Sequence, residues 1–220
     1  MVEVVIKTLG AHLAEDIRNY GRMHADIAIR VLDGNDTGIY DALNVCAASA
    51  AGEFVLYLGC GDTLADDFVA SDFAAIASPP EIPQVLYGPV LMADSAGNVS
   101  SLFSNRVFFG MRKKLPWRNP CHSQGICYRR TWLVTRPFRT DIGPLADMVH
   151  TYHYKVDTLA VWINRPISIF REGGISSSRD AKHYRAWLRG VHANCENFAF
   201  PAAWRLISTL ICRVGIALGK

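Results

Sequence analysis

The sequence predicts a single α/β sandwich, and three observations lead there. Half of its 220 residues are apolar, enough for one substantial core in a chain too short for two ordinary domains. Short β-branched or apolar runs alternate with stretches of helical spacing, the order that layers helices on a sheet. Glu53-Phe-Val-Leu-Tyr-Leu58 is apolar almost throughout, as a strand buried on both faces of a parallel sheet would be.

Taken in order, Val2–Ile6 reads as a first strand, and Leu13 and Ile17, four apart, predict a helix over about His12–Arg22. Ile27–Leu32 gives a second strand. A helix then runs from Ile39 to Ala50, with Gly52 just past its end, where a helix C-terminus favours glycine. Asp36 or Thr37 can cap it, Gly38 allows the turn, and Ile39 and Leu43 bury one side, leaving Asp41 and Asn44 to face a pocket. Glu53–Leu58 follows as a strand, then a helix over Ala65–Ala77, the breaker Ser78-Pro-Pro80, and a strand over Val85–Met92 ending in the turn Asp94–Gly97. A basic and aromatic segment spans Phe103–Trp117. Gly125–Tyr128 and Ile167–Phe170 read as buried strands.

At the C-terminus, Trp204, Ile207, Ile211, Val214 and Leu218 form an apolar stripe at helical spacing, opposite Arg205, Ser208, Thr209 and Arg213. Such a helix either packs on the domain or lies in a membrane interface with its arginines towards acidic headgroups. The expected organisation is a domain over 1–198 and an amphipathic tail over 199–220.

The totals exclude several classes. A formal charge of +3, with Lys and Arg scattered in short groups, gives no nucleic-acid footprint. The six cysteines have no CxxC pair and read as reduced cytosolic thiols, with only Cys121-His122 close to a zinc pattern. No apolar run reaches the roughly 20 residues of a membrane span. Gly59-Cys-Gly61 lacks the third glycine and acidic residue of a dinucleotide fingerprint. A thiol hydrolase using Cys121 or Cys127 with His122 or His150 is disfavoured, because neighbours on a strand point to opposite faces.

The motif order Asp36-Thr-Gly-Ile-Tyr-Asp-Ala-Leu-Asn44, Gly52-Glu-Phe-Val-Leu-Tyr-Leu58 and Gly61-Asp62 resembles the family-2 glycosyltransferases of the GT-A fold, especially bacterial enzymes that build surface polysaccharides. His122-Ser-Gln124 through Arg130, Phe138–Asp147 and Gly173-Gly-Ile-Ser176 continue the likeness, which covers roughly residues 1–180. Two places depart from the pattern. Thr8–His12 stands where the family carries its base-binding aspartate, with no first strand-turn unit before Val2, and Gly59 replaces an Asn or Asp. The resemblance therefore implies a GT-A-like mixed sheet lacking the usual first β-α unit, from a late start or in a degenerate member.

What the resemblance implies chemically is an inverting transfer from a nucleotide-diphosphate sugar to a saccharide or polyprenyl-linked acceptor, on the cytoplasmic face of the membrane. Asp36, Asp41, Asn44 and Asp62 would border the donor, and Asp62 would hold Mg²⁺ or Mn²⁺, which neutralises the leaving diphosphate. Asp147 would be the general base that takes the acceptor's proton. His122 and Gln124 would flank the donor and acceptor pocket, and Arg129 and Arg130 would be available to a phosphate. Separately from the resemblance, the amphipathic spacing of the tail offers peripheral membrane contact through residues 203–220. The alternative is a non-catalytic relative that binds a nucleotide sugar without turning it over.

Overall fold

The computed structural model describes residues 3–8, 28–33, 35–59, 62–65, 82–103, 116–117, 119, 121–172 and 181–217. The expected helix over 12–22, all but the first residue of the one over 65–77, most of the basic segment, the 173–176 turn and Leu218 lie outside them.

In chain order, β1 (Glu3–Thr8) and β2 (Ala28–Asp33) form a parallel pair, followed by α1 (Ile39–Ser49). Then come β3 (Phe54–Leu56), β4 (Thr63–Leu64), β5 (Val85–Tyr87), β6 (Val90–Ala93) and β7 (Val99–Phe103). A 3-10 turn, Ser123–Gly125, leads into β8 (Ile126–Arg129), and α2 (Arg130–Val134), α3 (Ala146–His153) and α4 (Val156–Leu159) follow. The chain continues through β9 (Ala160–Trp162), β10 (Ser168–Arg171), α5 (Ala181–Cys195) and α6 (Pro201–Ala217).

Two mixed four-stranded sheets sit at the centre. One has the order β3-β8-β5-β9, with β8 antiparallel to both neighbours and β5 parallel to β9. The other has the order β4-β10-β6-β7, with β10 antiparallel to β4 and parallel to β6. All three residues of β5 are fully buried, as are Ile126, Cys127 and Tyr128 on β8, so this pair is the middle of the core. An aromatic cluster of Tyr40, Tyr57, Tyr128, Trp132 and Phe138 fills the space between that sheet and helices α1, α2 and α3.

The structure corrects four expectations. The apolar run at 53–58 does not lie in a parallel sheet, because β3 pairs antiparallel with β8; apolarity reports burial and not strand direction. The strand expected over 85–92 breaks at Gly88-Pro89, where Gly88 N–H donates to Gly125 O at 2.9 Å and β5 and β6 enter different sheets. Helix α1 buries Tyr40, Cys46 and Ala47, while Ile39 is 54% exposed. Its N-cap is Gly38 at φ 142, with no side-chain cap. This positive φ favours glycine.

Candidate functional site

Because β8 runs against β3 and β5, the turn that begins it lies at their carboxyl ends, where open α/β sheets bind ligands. Three segments meet there: Gly59 and Asp62 after β3, Gly88 after β5, and the Ser123–Gly125 turn before β8. The turn is fixed from behind, since Ser168 Oγ donates to Gln124 O at 2.8 Å and Gly88 N–H donates to Gly125 O. The backbone N–H of His122 donates to the hydroxyl of buried Tyr87 at 3.3 Å.

Asp62 stands on one side of this turn. Gln124 Nε2 donates to its Oδ2, and Arg171 N–H, at the end of β10, donates to its Oδ1 at 2.8 Å. Burial raises the Asp62 carboxyl above its ordinary value, opposed by the Arg171 N–H and then by Gln124. Gln124 is 8% exposed, and its Oε1 has no hydrogen-bond partner.

Asp147 stands in the first turn of α3. Tyr40 O–H donates to its Oδ1 at 2.9 Å, the N–H of Met148 donates to the same oxygen at 2.8 Å, and Asn119 Nδ2 donates to Oδ2 at 3.2 Å. Burial raises this carboxyl too, and hydrogen bonds from Tyr40, Met148 and Ser123 work against it. Gln124 thus bonds to Asp62, and its neighbour Ser123 lies close enough to Asp147 to favour its charged form. One short turn borders two carboxyl groups that lie 85 positions apart in the chain.

The other expected residues have local duties. Asp36 Oδ1 accepts from Gly38 N–H at 3.0 Å, and Asp41 Oδ2 accepts from Thr37 N–H and Thr37 Oγ1, both at 2.9 Å. Asn44 clamps the backbone of Phe138, donating from Nδ2 to its carbonyl and accepting its N–H, both at 2.9 Å. His122 lies edge-on to Phe170 with centroids 5.0 Å apart, and burial pushes its imidazole down to about 4. Arg129 pairs with Glu53 at 3.4 Å, and Arg130 begins α2. The sequence reading missed Tyr40, Asn119 and Ser123 as partners of Asp147. Tyr40 lay in plain view inside the 36–44 motif, whereas Asn119 carries no local signal.

No family model matches the chain. Glycosyltransferases of PGL/p-HBAD biosynthesis from Mycobacterium bovis and Mycobacterium tuberculosis are 32% identical over 127 residues, 58% of this chain and 42% of theirs. The chain therefore spans less than half the length of these curated relatives. Among solved structures, S. aureus TarS 1-349 in complex with UDP-GlcNAc is similar with a TM-score of 0.58 at 17% identity, over 92% of this chain and 60% of that one. The same protein in complex with UDP gives 0.56 over 92% and 59%. The chain has the mixed α/β fold of that protein, with two mixed sheets flanked by helices.

Proposed function

We propose that the chain is a family-2 glycosyltransferase of the GT-A type. It moves a sugar from a nucleotide-diphosphate donor to a saccharide or polyprenyl-linked acceptor, with inversion, in surface-polysaccharide synthesis on the cytoplasmic face of the membrane. The observation that carries this reading is the 123–124 turn at the strand ends, where Gln124 bonds to Asp62 and Ser123 lies beside Asp147. The mycobacterial relatives and the nucleotide ligands named for TarS support it.

In this reading Asp147 accepts the proton of the acceptor hydroxyl as that oxygen bonds to the anomeric carbon. The bond from that carbon to the diphosphate breaks on the opposite face, and the nucleoside diphosphate leaves with the bonding electrons. A carboxyl raised by burial is the stronger base once ionised. Among the described residues no group of three or more His, Cys, Asp or Glu could form a metal cage. A single carboxylate nevertheless suits Mg²⁺ or Mn²⁺ when substrate phosphates and water complete the shell, and Asp62 is the residue that would hold the ion. Bound there, the ion would supply Lewis-acid neutralisation of the leaving diphosphate.

The test is nucleoside-diphosphate release from a panel of nucleotide sugars with Mg²⁺ or Mn²⁺. Asp62→Ala and Asp147→Asn should each lower kcat by about 100-fold or more in protein that is still folded at the assay temperature. Chelation should abolish turnover in the parent protein, and added metal should restore it there but not in Asp62→Ala. Donor binding without turnover in the parent protein would favour the non-catalytic relative; no donor binding would overturn the reading.

A further inference from the structure

Helix α6 is apolar on the side that faces away from the protein. It meets the rest of the fold through buried Ser208 and Cys212, and His192 Nε2 lies 3.1 Å from Thr209 Oγ1. Trp204, a member of the expected apolar stripe, turns inward against Trp117 with centroids 5.4 Å apart. At about 100° per residue these positions share one side of the helix. The other side carries Leu206, Ile207, Leu210 and Val214, with Ile211 at its border beside Trp204, all between 41% and 62% exposed. Five large aliphatic side chains on one uncovered helix face mark a docking surface.

Two further observations select its occupant. Phe200, immediately before the helix, is 80% exposed at φ 60, a backbone conformation that bulky residues rarely adopt. Its carbonyl accepts Ala203 N–H at 3.1 Å and Trp204 N–H at 3.3 Å, so the helix start fixes this residue at the head of the apolar face. Within 181–217, Arg185, Arg189, Arg205 and Arg213 are exposed, and Glu196 is the sole acidic residue. Arg205 is engaged by Glu196. Arg185 lies close enough to Cys212 to oppose the upward push of burial on that thiol. Residues 181–217 thus carry a net positive charge around the apolar face, which a second copy would repel and an anionic bilayer surface would neutralise.

We infer that the outer face of α6, led by Phe200, seats the protein in the interface of an anionic lipid bilayer. The helix lies in the plane of the surface, because no helix among the described residues is long and apolar enough to cross a membrane. Helix α5 separates α6 from α3 and packs on both, so docking would hold Asp147 one helix behind the lipid-facing layer. The inference deepens the proposed membrane location, yet its observations lie in Phe200, α5 and α6 and not at Asp62 or Asp147.

The full 220-residue chain should sediment with phosphatidylcholine vesicles containing about one third phosphatidylglycerol, and less with phosphatidylcholine alone. Leu206→Glu with Leu210→Glu changes two exposed positions and should weaken that partitioning by about tenfold or more, with an unchanged thermal midpoint. Parent protein that ignores both vesicle types, or a variant that sediments equally, would overturn the inference. So would a concentration-dependent dimer that the variant abolishes without any vesicle binding, which would assign the face to a second copy. Nucleotide-sugar binding measured on the same variant keeps this outcome separate from the fate of the donor reading.

Discussion

A Cβ at position 59 would stand 2.4 Å from Asp62 Oδ2 and 3.2 Å from Gln124 Nε2, so the bare backbone there is what lets the carboxylate and the amide meet. Restoring the Asn that the resembling enzymes carry would not repair the site. Gly59→Asn should push Asp62 off Gln124 and lower affinity for a Mg²⁺-nucleotide-sugar by about tenfold in titration calorimetry, with folding unchanged because the position is exposed. Equal affinity would detach Asp62 from the donor site. Tyr40 offers the complementary test at Asp147. Its hydroxyl is the strongest of the hydrogen bonds opposing the burial effect on that carboxyl. Tyr40→Phe should therefore raise the Asp147 carboxyl further and move the acidic limb of the pH–kcat profile to higher pH. A limb that stays in place would argue that Asp147 is not the base.

Helix α1 shows how one element serves both fold and site. Its two Asn44 bonds satisfy the backbone of Phe138, which is 4% exposed and whose ring lies against Tyr40, Tyr57, Tyr128 and His150. Asn44→Ala leaves a buried donor and acceptor unmet, so urea unfolding should show a loss of about 2–3 kcal/mol, and kcat should fall as Tyr40 loosens. A loss below about 0.5 kcal/mol would mean that water replaces both bonds. The existence and extent of α1 were legible from its spacing and from Gly52, but its buried side was not. Tyr40 faces inward because its hydroxyl reaches Asp147 and Pro144 O, partners more than 100 positions away that no local window contains. Helix α5 escaped notice because Arg185, Arg189 and His192 interrupt its apolar positions. The break at Gly88-Pro89 escaped because an unbroken apolar run looks the same whether it serves one sheet or two. At the site, the segments bearing Asp62, Gln124 and Asp147 could each be read locally. Their joining through Ser123 and Gln124 depends on strand direction, which the apolar pattern did not encode.

At the scale of the whole molecule, buried ionisable groups set how folding responds to acid, and the two kinds oppose each other. Asp62 and Asp147 are raised above 3.8, so the folded state holds their protons more tightly than the unfolded chain, and acidification favours folding through them. His122 and His150 are pushed from 6.5 down to about 4, so between those values the unfolded chain takes up protons that the folded state refuses. Stability from the histidines is complete above about pH 6.5 and is lost as pH falls towards about 4, on the order of 3 kcal/mol for each. His150 is the clearer case. Its Nε2 lies 2.7 Å from Arg136 O, a carbonyl that can only accept, so Nε2 carries the proton. Its Nδ1 is buried without a hydrogen-bond partner, in an aromatic box of Tyr128, Trp132, Phe138 and Tyr154. A second proton would have to go there, away from water. His150→Leu removes this uptake whatever it does to baseline stability. The slope of unfolding free energy against pH, measured by urea titration between about pH 6.5 and about pH 4, should flatten by up to ~1.4 kcal/mol per pH unit. An unchanged slope would mean that the folded protein already accommodates the imidazolium.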